Sequence, residues 1–140
     1  MNAAHVQRTP GIARRLACML YDGLLLFAVG FGATWVYYIA SGGLGAEGRG
    51  RTLLQIFLVA VFAAYFLWCW LHGGQTLAMK TWRIRLIAPG RGQIPPPTAF
   101  LRFLLALFAV PTGIALGWAL FDRDQQFLHD RIAGTRLVLV

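Results

Sequence analysis

Asp22 is the residue whose setting most demands a chemical explanation, because it is the single charged group in the apolar run Leu16 to Ala40. Six residues past Leu16 it would lie about 9 Å along a helix that rises 1.5 Å per residue. A carboxylate inside the hydrocarbon costs on the order of 2.5–3.5 kcal/mol even on forgiving insertion scales, so something must neutralise it. Arg15 stands seven residues earlier, two turns away on the same helical face. Its long side chain can lean towards the acid, but the axial gap of about 10 Å requires both side chains extended or a third group between them. Two roles are open: a charge pair that holds helices in register, or an acid that carries a proton or cation, as intramembrane acids often do.

A second constellation, His129-Asp130-Arg131 followed by Ile132-Ala133-Gly134-Thr135, comes directly after the last long apolar run. An acid flanked by His and Arg can relay protons or hold a cation, and it can equally be a turn that docks the tail. A metal site from His5, His72, His129, Cys18 and Cys69 lacks ligand spacing, and none is expected. Both cysteines sit in apolar runs, where a thiol acts as a small hydrophobe, so a disulfide framework is not indicated. Gly113-Ile114-Ala115-Leu116-Gly117 is a short Gly-x-x-x-Gly match that would let backbones approach closely, within the chain or between copies. No nucleophile with its base, phosphate-cradling loop or carboxylate pair suited to hydrolysis is present, so neither an enzyme nor a cofactor is expected.

The elements that must position these groups follow from composition. The chain has 140 residues, 58% hydrophobic and 13% charged, where a soluble domain carries roughly 25% charge. That leaves too little polar surface for a globule in water, and one membrane domain over residues 1–140 is expected. Leu16 to Ala40 and Leu53 to Leu71 are each long enough to span about 30 Å of hydrocarbon. A cleaved signal peptide competes for the first, but its apolar core is roughly 7–15 residues and an internal Asp is unwelcome there. Trp35, Tyr37, Tyr38, Tyr65, Trp68 and Trp70 lie near the run ends, where an aromatic belt would form, though any of them could instead pack in the core. The third run, Leu101 to Phe121, is broken by Pro111-Thr112-Gly113. It reads either as one kinked span or as two pieces forming a re-entrant hairpin.

Between the second and third runs, Arg83 to Ile87 alternates polar and apolar before the turn Pro89-Gly90-Arg91-Gly92, and the chain ends in the β-prone Leu137-Val138-Leu139-Val140. Isolated strands are unstable, so these two should pair, on one membrane face, which favours the re-entrant reading. The net charge of +8 comes from twelve Arg and one Lys against five acids. The basic residues fall between apolar runs and match no nucleic-acid-binding motif, so anionic lipid is the expected partner and nucleic acid is not. Arg8, Arg14 and Arg15 precede the first run, and Lys80, Arg83, Arg85, Arg91 and Arg102 lie between the second and third, against Arg49 and Arg51 in the first loop. The positive-inside rule then makes the amino terminus and second loop cytoplasmic. The tail, with Arg123, Arg131 and Arg136 against Asp122, Asp124 and Asp130, decides nothing.

Three pieces together resemble the RDD family of small bacterial membrane proteins, named for an arginine and two aspartates. Arg14-Arg15-Leu16-Ala17-Cys18-Met19-Leu20-Tyr21-Asp22 is similar to its first-helix motif, Gly73-Gly74-Gln75-Thr76-Leu77-Ala78-Met79-Lys80 to its middle motif, and Leu128-His129-Asp130-Arg131-Ile132-Ala133-Gly134-Thr135 to its terminal motif. Ala78-Met79 departs from the pattern, since many relatives carry a glycine just before the lysine, and this casts doubt on a tight backbone approach there. The resemblance implies an all-α membrane fold of about three embedded helices with a short strand element, in the bacterial inner membrane. It joins Arg15, Asp22 and Asp130 into one functional site, with Gln75, Thr76, Lys80, His129 and Thr135 in support. Transport of an ion or small solute, including cation–proton exchange, is the activity it suggests. Three short helices enclose little volume, so a carrier of this size should form homo-oligomers. The alternative is a non-transporting accessory or assembly factor for other membrane proteins, with the triad as a clamp.

Overall fold

The computed structural model describes residues 8–43, 47–123 and 126–140. His5 and Asp124, both named above, lie outside the described residues. In chain order the elements are α1 (Ile12–Ala40), α2 (Gly48–Leu71), α3 (Leu77–Thr81), β1 (Ile84–Ile87), α4 (Pro96–Ala109), α5 (Ile114–Phe121), α6 (Leu128–Ala133) and β2 (Arg136–Leu139).

α1 and α2 are inside-out by the standards of a water-soluble protein. The buried residues of α1 are Arg15, Cys18 and Asp22, which fall at i, i+3 and i+7 on one face, while Leu20, Leu24, Phe27, Phe31 and Trp35 are exposed. α2 buries only Trp70 and exposes Leu53, Ile56, Val59 and Trp68. Polar groups in and apolar groups out is what lipid as the solvent selects, because a bare carboxylate or guanidinium has no partner there. With 29 residues α1 is about 43 Å long, more than the ~30 Å of hydrocarbon, so its basic first turns project beyond the core. The aromatic residues divide between the two readings: Trp35, Tyr38 and Trp68 are exposed at helix ends, whereas Trp70 is buried.

The third run is two helices. α4 begins at Pro96, five residues before the apolar run, with proline in the first turn where no intrahelical donor is missed. α5 meets it at 100°, after a break whose Gly113 takes φ 74. Two helices are thus long and apolar enough to cross a membrane, or three segments if this bent pair counts as one. Gly113 and Gly117 face open space, so the glycine pair of the Gly-x-x-x-Gly match makes no close approach among the described residues, although Ala115 between them is buried in the core.

The two strands pair antiparallel within the chain, Ile84 opposite Leu139 and Ile87 opposite Arg136. The Leu139 N–H also donates to the Arg8 carbonyl at 2.9 Å, which ties the N-terminal segment to the same sheet. Ile84, Leu86 and Leu137 bury their side chains with Ala78, Phe103 and Phe127, so the core lies at the sheet end of the molecule rather than midway along the long helices. α2 packs on both α1 and α4, and α6 packs on α4 and α5. The result is a mostly helical membrane protein with one small antiparallel sheet.

Candidate functional site

On the inward face of α1, Asp22 is 8% exposed, and its Oδ2 accepts a hydrogen bond from the Thr76 hydroxyl at 2.9 Å. Thr76 is the N-cap of α3, and its Oγ1 also accepts from the Met79 N–H at 3.2 Å. One hydroxyl therefore caps a helix and holds an acid. Thr76 reaches this position because Gly74, at φ +72, lies hard against β1, where an added Cβ would stand 2.4 Å from the Leu86 carbonyl oxygen. The tight backbone approach of the middle motif is thus made at Gly74, while Ala78 and Met79 are ordinary core residues. Asp22 Oδ1 is enclosed and has no hydrogen-bond partner among the described residues.

The second acid is held differently. Asp130 is 1% exposed, and its Oδ1 accepts from Arg102 Nε at 2.6 Å and from the Thr135 hydroxyl at 3.4 Å. The guanidinium of Arg102 lies over the Trp70 ring, 4.2 Å from its centroid. Thr135 follows Gly134, whose φ of 70 ends α6 and turns the chain into β2. His129 stacks on Phe127 with ring centroids 5.5 Å apart, and its Nε2 is 3.8 Å from Asp130 Oδ1. Burial pushes the His129 imidazole down to about 4, the charge of Arg102 adds to this, and Asp130 opposes it. It is therefore neutral at pH 7, and its contact with Asp130 is not a charge pair. The flanking Arg131 pairs with Asp122, whose Oδ2 also accepts from the Gln126 N–H at 3.1 Å. His129-Asp130-Arg131 is thus part of a docked turn.

Arg15 donates from Nε to the Pro10 carbonyl at 3.0 Å and sets its guanidinium 5.6 Å from the Phe127 ring centroid, within electrostatic reach of Asp130. Arg15, Asp22, Arg102 and His129 all line one cavity of about 260 Å³, whose other walls are almost wholly apolar. The residues brought together are therefore Arg15, Asp22, Thr76, Arg102, His129, Asp130 and Thr135. Two supporting candidates fall elsewhere: Gln75 donates to the Ile84 carbonyl at 2.7 Å and fastens β1, and Lys80 is exposed. Arg102 is the partner of Asp130 that the sequence did not single out, where it counts among the basic residues between two runs. An arginine just inside an apolar run was the available signal. With Arg102 included, the two arginines and two aspartates are formally neutral.

No solved structure matches the chain significantly. A Rickettsia prowazekii (strain Madrid E) protein, Uncharacterized protein RP437, is 31% identical over 80 residues, which cover 57% of this chain and 45% of that relative's length. The match thus spans less than half of the relative. Residues 9–134 match the RDD family, and they contain every residue that lines the cavity except Leu137. On that match the chain belongs to the RDD family.

Proposed function

We propose that this protein carries a cation or small solute in exchange for protons, with Asp22 as the exchangeable carboxylate and the Arg102–Asp130 pair as the fixed scaffold beside it. The observation that carries this reading is that Asp22 lines the cavity with its enclosed Oδ1 unpartnered among the described residues and no arginine bonded to it, whereas Asp130, whose Oδ2 is also unpartnered, is held by Arg102 and does not line the cavity. A carboxylate oxygen in that position is available to a proton or a cation. The role is not enzymatic, and several copies acting together remain part of the proposal.

The orientation proposed is multi-pass in the bacterial inner membrane, with the amino terminus, the sheet and the tail cytoplasmic. In its support, Arg8, β1 and β2 are hydrogen-bonded together, and the basic residues Arg14, Lys80, Arg83 and Arg85 lie near them in the chain. A thiol placed at position 136 should resist an impermeant reagent applied to intact cells, and labelling from outside would reverse the orientation. A second reading, an assembly factor for other membrane proteins, is favoured by the Arg102–Asp130 pair, because a 2.6 Å buried contact from α4 to α6 is a holding device. Flux in proteoliposomes separates the two. Wild type should exchange protons for cations while folded Asp22→Asn does not, and undiminished flux in that variant would leave the clamp reading.

A further inference from the structure

The cavity is more selective in its chemistry than a site for any ion. Asp22 supplies the only side-chain oxygen among its lining residues. Inorganic cations of the Ca²⁺ or Mg²⁺ kind need about six or more oxygen ligands, and among the described residues no group of three His, Cys, Asp or Glu could hold a metal. Apart from Arg15, Arg102 and His129 the rest of the wall is apolar and heavily aromatic. Phe66 stands at the centre, with its ring centroid 5.1 Å from Trp70 and 6.2 Å from Phe103.

Aromatic faces attract cations, most strongly where water is excluded. Two of these walls already do so within the chain: Trp70 lies under the Arg102 guanidinium and Phe127 under that of Arg15. Those arginines also line the cavity but are engaged, Arg102 on Asp130 and Arg15 on the Pro10 carbonyl. Deeper along α1, two turns beyond Arg15, Asp22 lines the same space as Phe62, Phe66 and Phe103. An anion would meet the Asp22 carboxylate. At about 260 Å³ the cavity is below the roughly 300–1,000 Å³ of drug-sized pockets, so its occupant must be compact.

We infer that the cavity binds a compact hydrophobic organic cation, an alkyl- or aryl-ammonium, with its charge beside Asp22 Oδ1 and its apolar body against Phe62, Phe66 and Phe103. This rests on the reading of Asp22 as the available carboxylate and names the class of substrate that the carboxylate would take.

The test is equilibrium binding to the purified full-length protein in mild detergent, with empty micelles subtracted. Benzyltrimethylammonium carries the charge and the ring. Neopentylbenzene is its neutral isostere, tetramethylammonium has the charge without the ring, and phenylacetate has the ring with the opposite charge. Wild type should bind benzyltrimethylammonium at least tenfold more tightly than any of the other three. Asp22→Asn, shown to be folded by its thermal midpoint, should lose at least tenfold of that affinity and keep that for neopentylbenzene. Equal binding of the neutral isostere, or tighter binding of phenylacetate, overturns the inference using wild type alone. Asp22-dependent flux of inorganic cations without benzyltrimethylammonium binding would remove this inference and leave the exchange reading. Charge-selective binding with no flux of any cation would do the reverse.

Discussion

Asp22 and Asp130 are the same residue type, both enclosed and both close to an arginine, yet the chain treats them in opposite ways. Asp130 is anchored by Arg102 at 2.6 Å, with Thr135 from the following turn on the same oxygen. Asp22 has no arginine bonded to it: the Thr76 hydroxyl donates to Oδ2 and the Tyr65 hydroxyl also acts on the carboxylate, while each acid keeps one oxygen without a hydrogen-bond partner among the described residues. Anchoring a buried charge with a second charge fixes geometry, and removing one partner strands the other. Holding a charge by neutral hydroxyls leaves it free to change partners. On the proposed reading Asp130 is the acid that stays in place and Asp22 the one that exchanges.

The largest break in this contrast should come from Arg102→Ala, which strands Asp130 and should cost about 3–5 kcal/mol. Thermal denaturation of the purified variant would show it, and adding Asp130→Asn should recover part of the loss, since the stranded charge is then gone. Recovery of nothing would mean that Arg102 acts mainly through its stacking on Trp70. Next, Arg15→Ala should cost about 3–5 kcal/mol, against about 1 kcal/mol or less for Arg14→Ala. Arg15 is 1% exposed while Arg14 lies on the surface, and equal midpoints for the two variants would contradict the contrast.

The Asp130 side carries its own pH signature through His129. Its folded value of about 4 lies below the ordinary 6.5, so the unfolded chain binds the proton first as pH falls. Stability should be full above about pH 6.5, decline by on the order of 3 kcal/mol towards pH 4, and level off below that. His129→Gln should flatten this slope in melts taken from pH 4 to 7. On the Asp22 side, Gly74→Ala should cost about 2 kcal/mol or more, because it forces a positive φ on a residue with a Cβ and drives that atom into the Leu86 carbonyl. Asp22-dependent flux should fall with it as Thr76 shifts, and unchanged flux would show that Thr76 does not depend on this contact.

How much of this was legible in sequence follows from what each feature depends on. The apolar runs, the strand pairing of β1 with β2 and the break at Pro111-Thr112-Gly113 rest on local composition and on the need of a strand for a partner, and all could be read there. Asp22 was legible because a lone acid among apolar residues is conspicuous. The partner of Asp130 was not. α4 starts five residues ahead of its apolar run, at Pro96, so Arg102 sits within the helix and turns inward to meet α6, 28 residues later. No periodicity encodes that meeting. Gln75 and Lys80 came in with the motif, but the first bonds a strand carbonyl and the second faces outward. The tight approach at Gly74 depends on where β1 passes, which the glycine pair alone did not specify.

The division of labour between the two acids is tested most directly by measuring thermal midpoint and proteoliposome flux together for Asp22→Asn and Asp130→Asn. Asp22→Asn should melt within about 1 kcal/mol of wild type, since an amide can keep the Thr76 contact, and should carry no flux because it cannot exchange a proton. Asp130→Asn should melt well below wild type, by about 3 kcal/mol or more, as Arg102 loses its counter-charge. A destabilised Asp22→Asn beside a stable, silent Asp130→Asn would reverse the assignment and contradict the account.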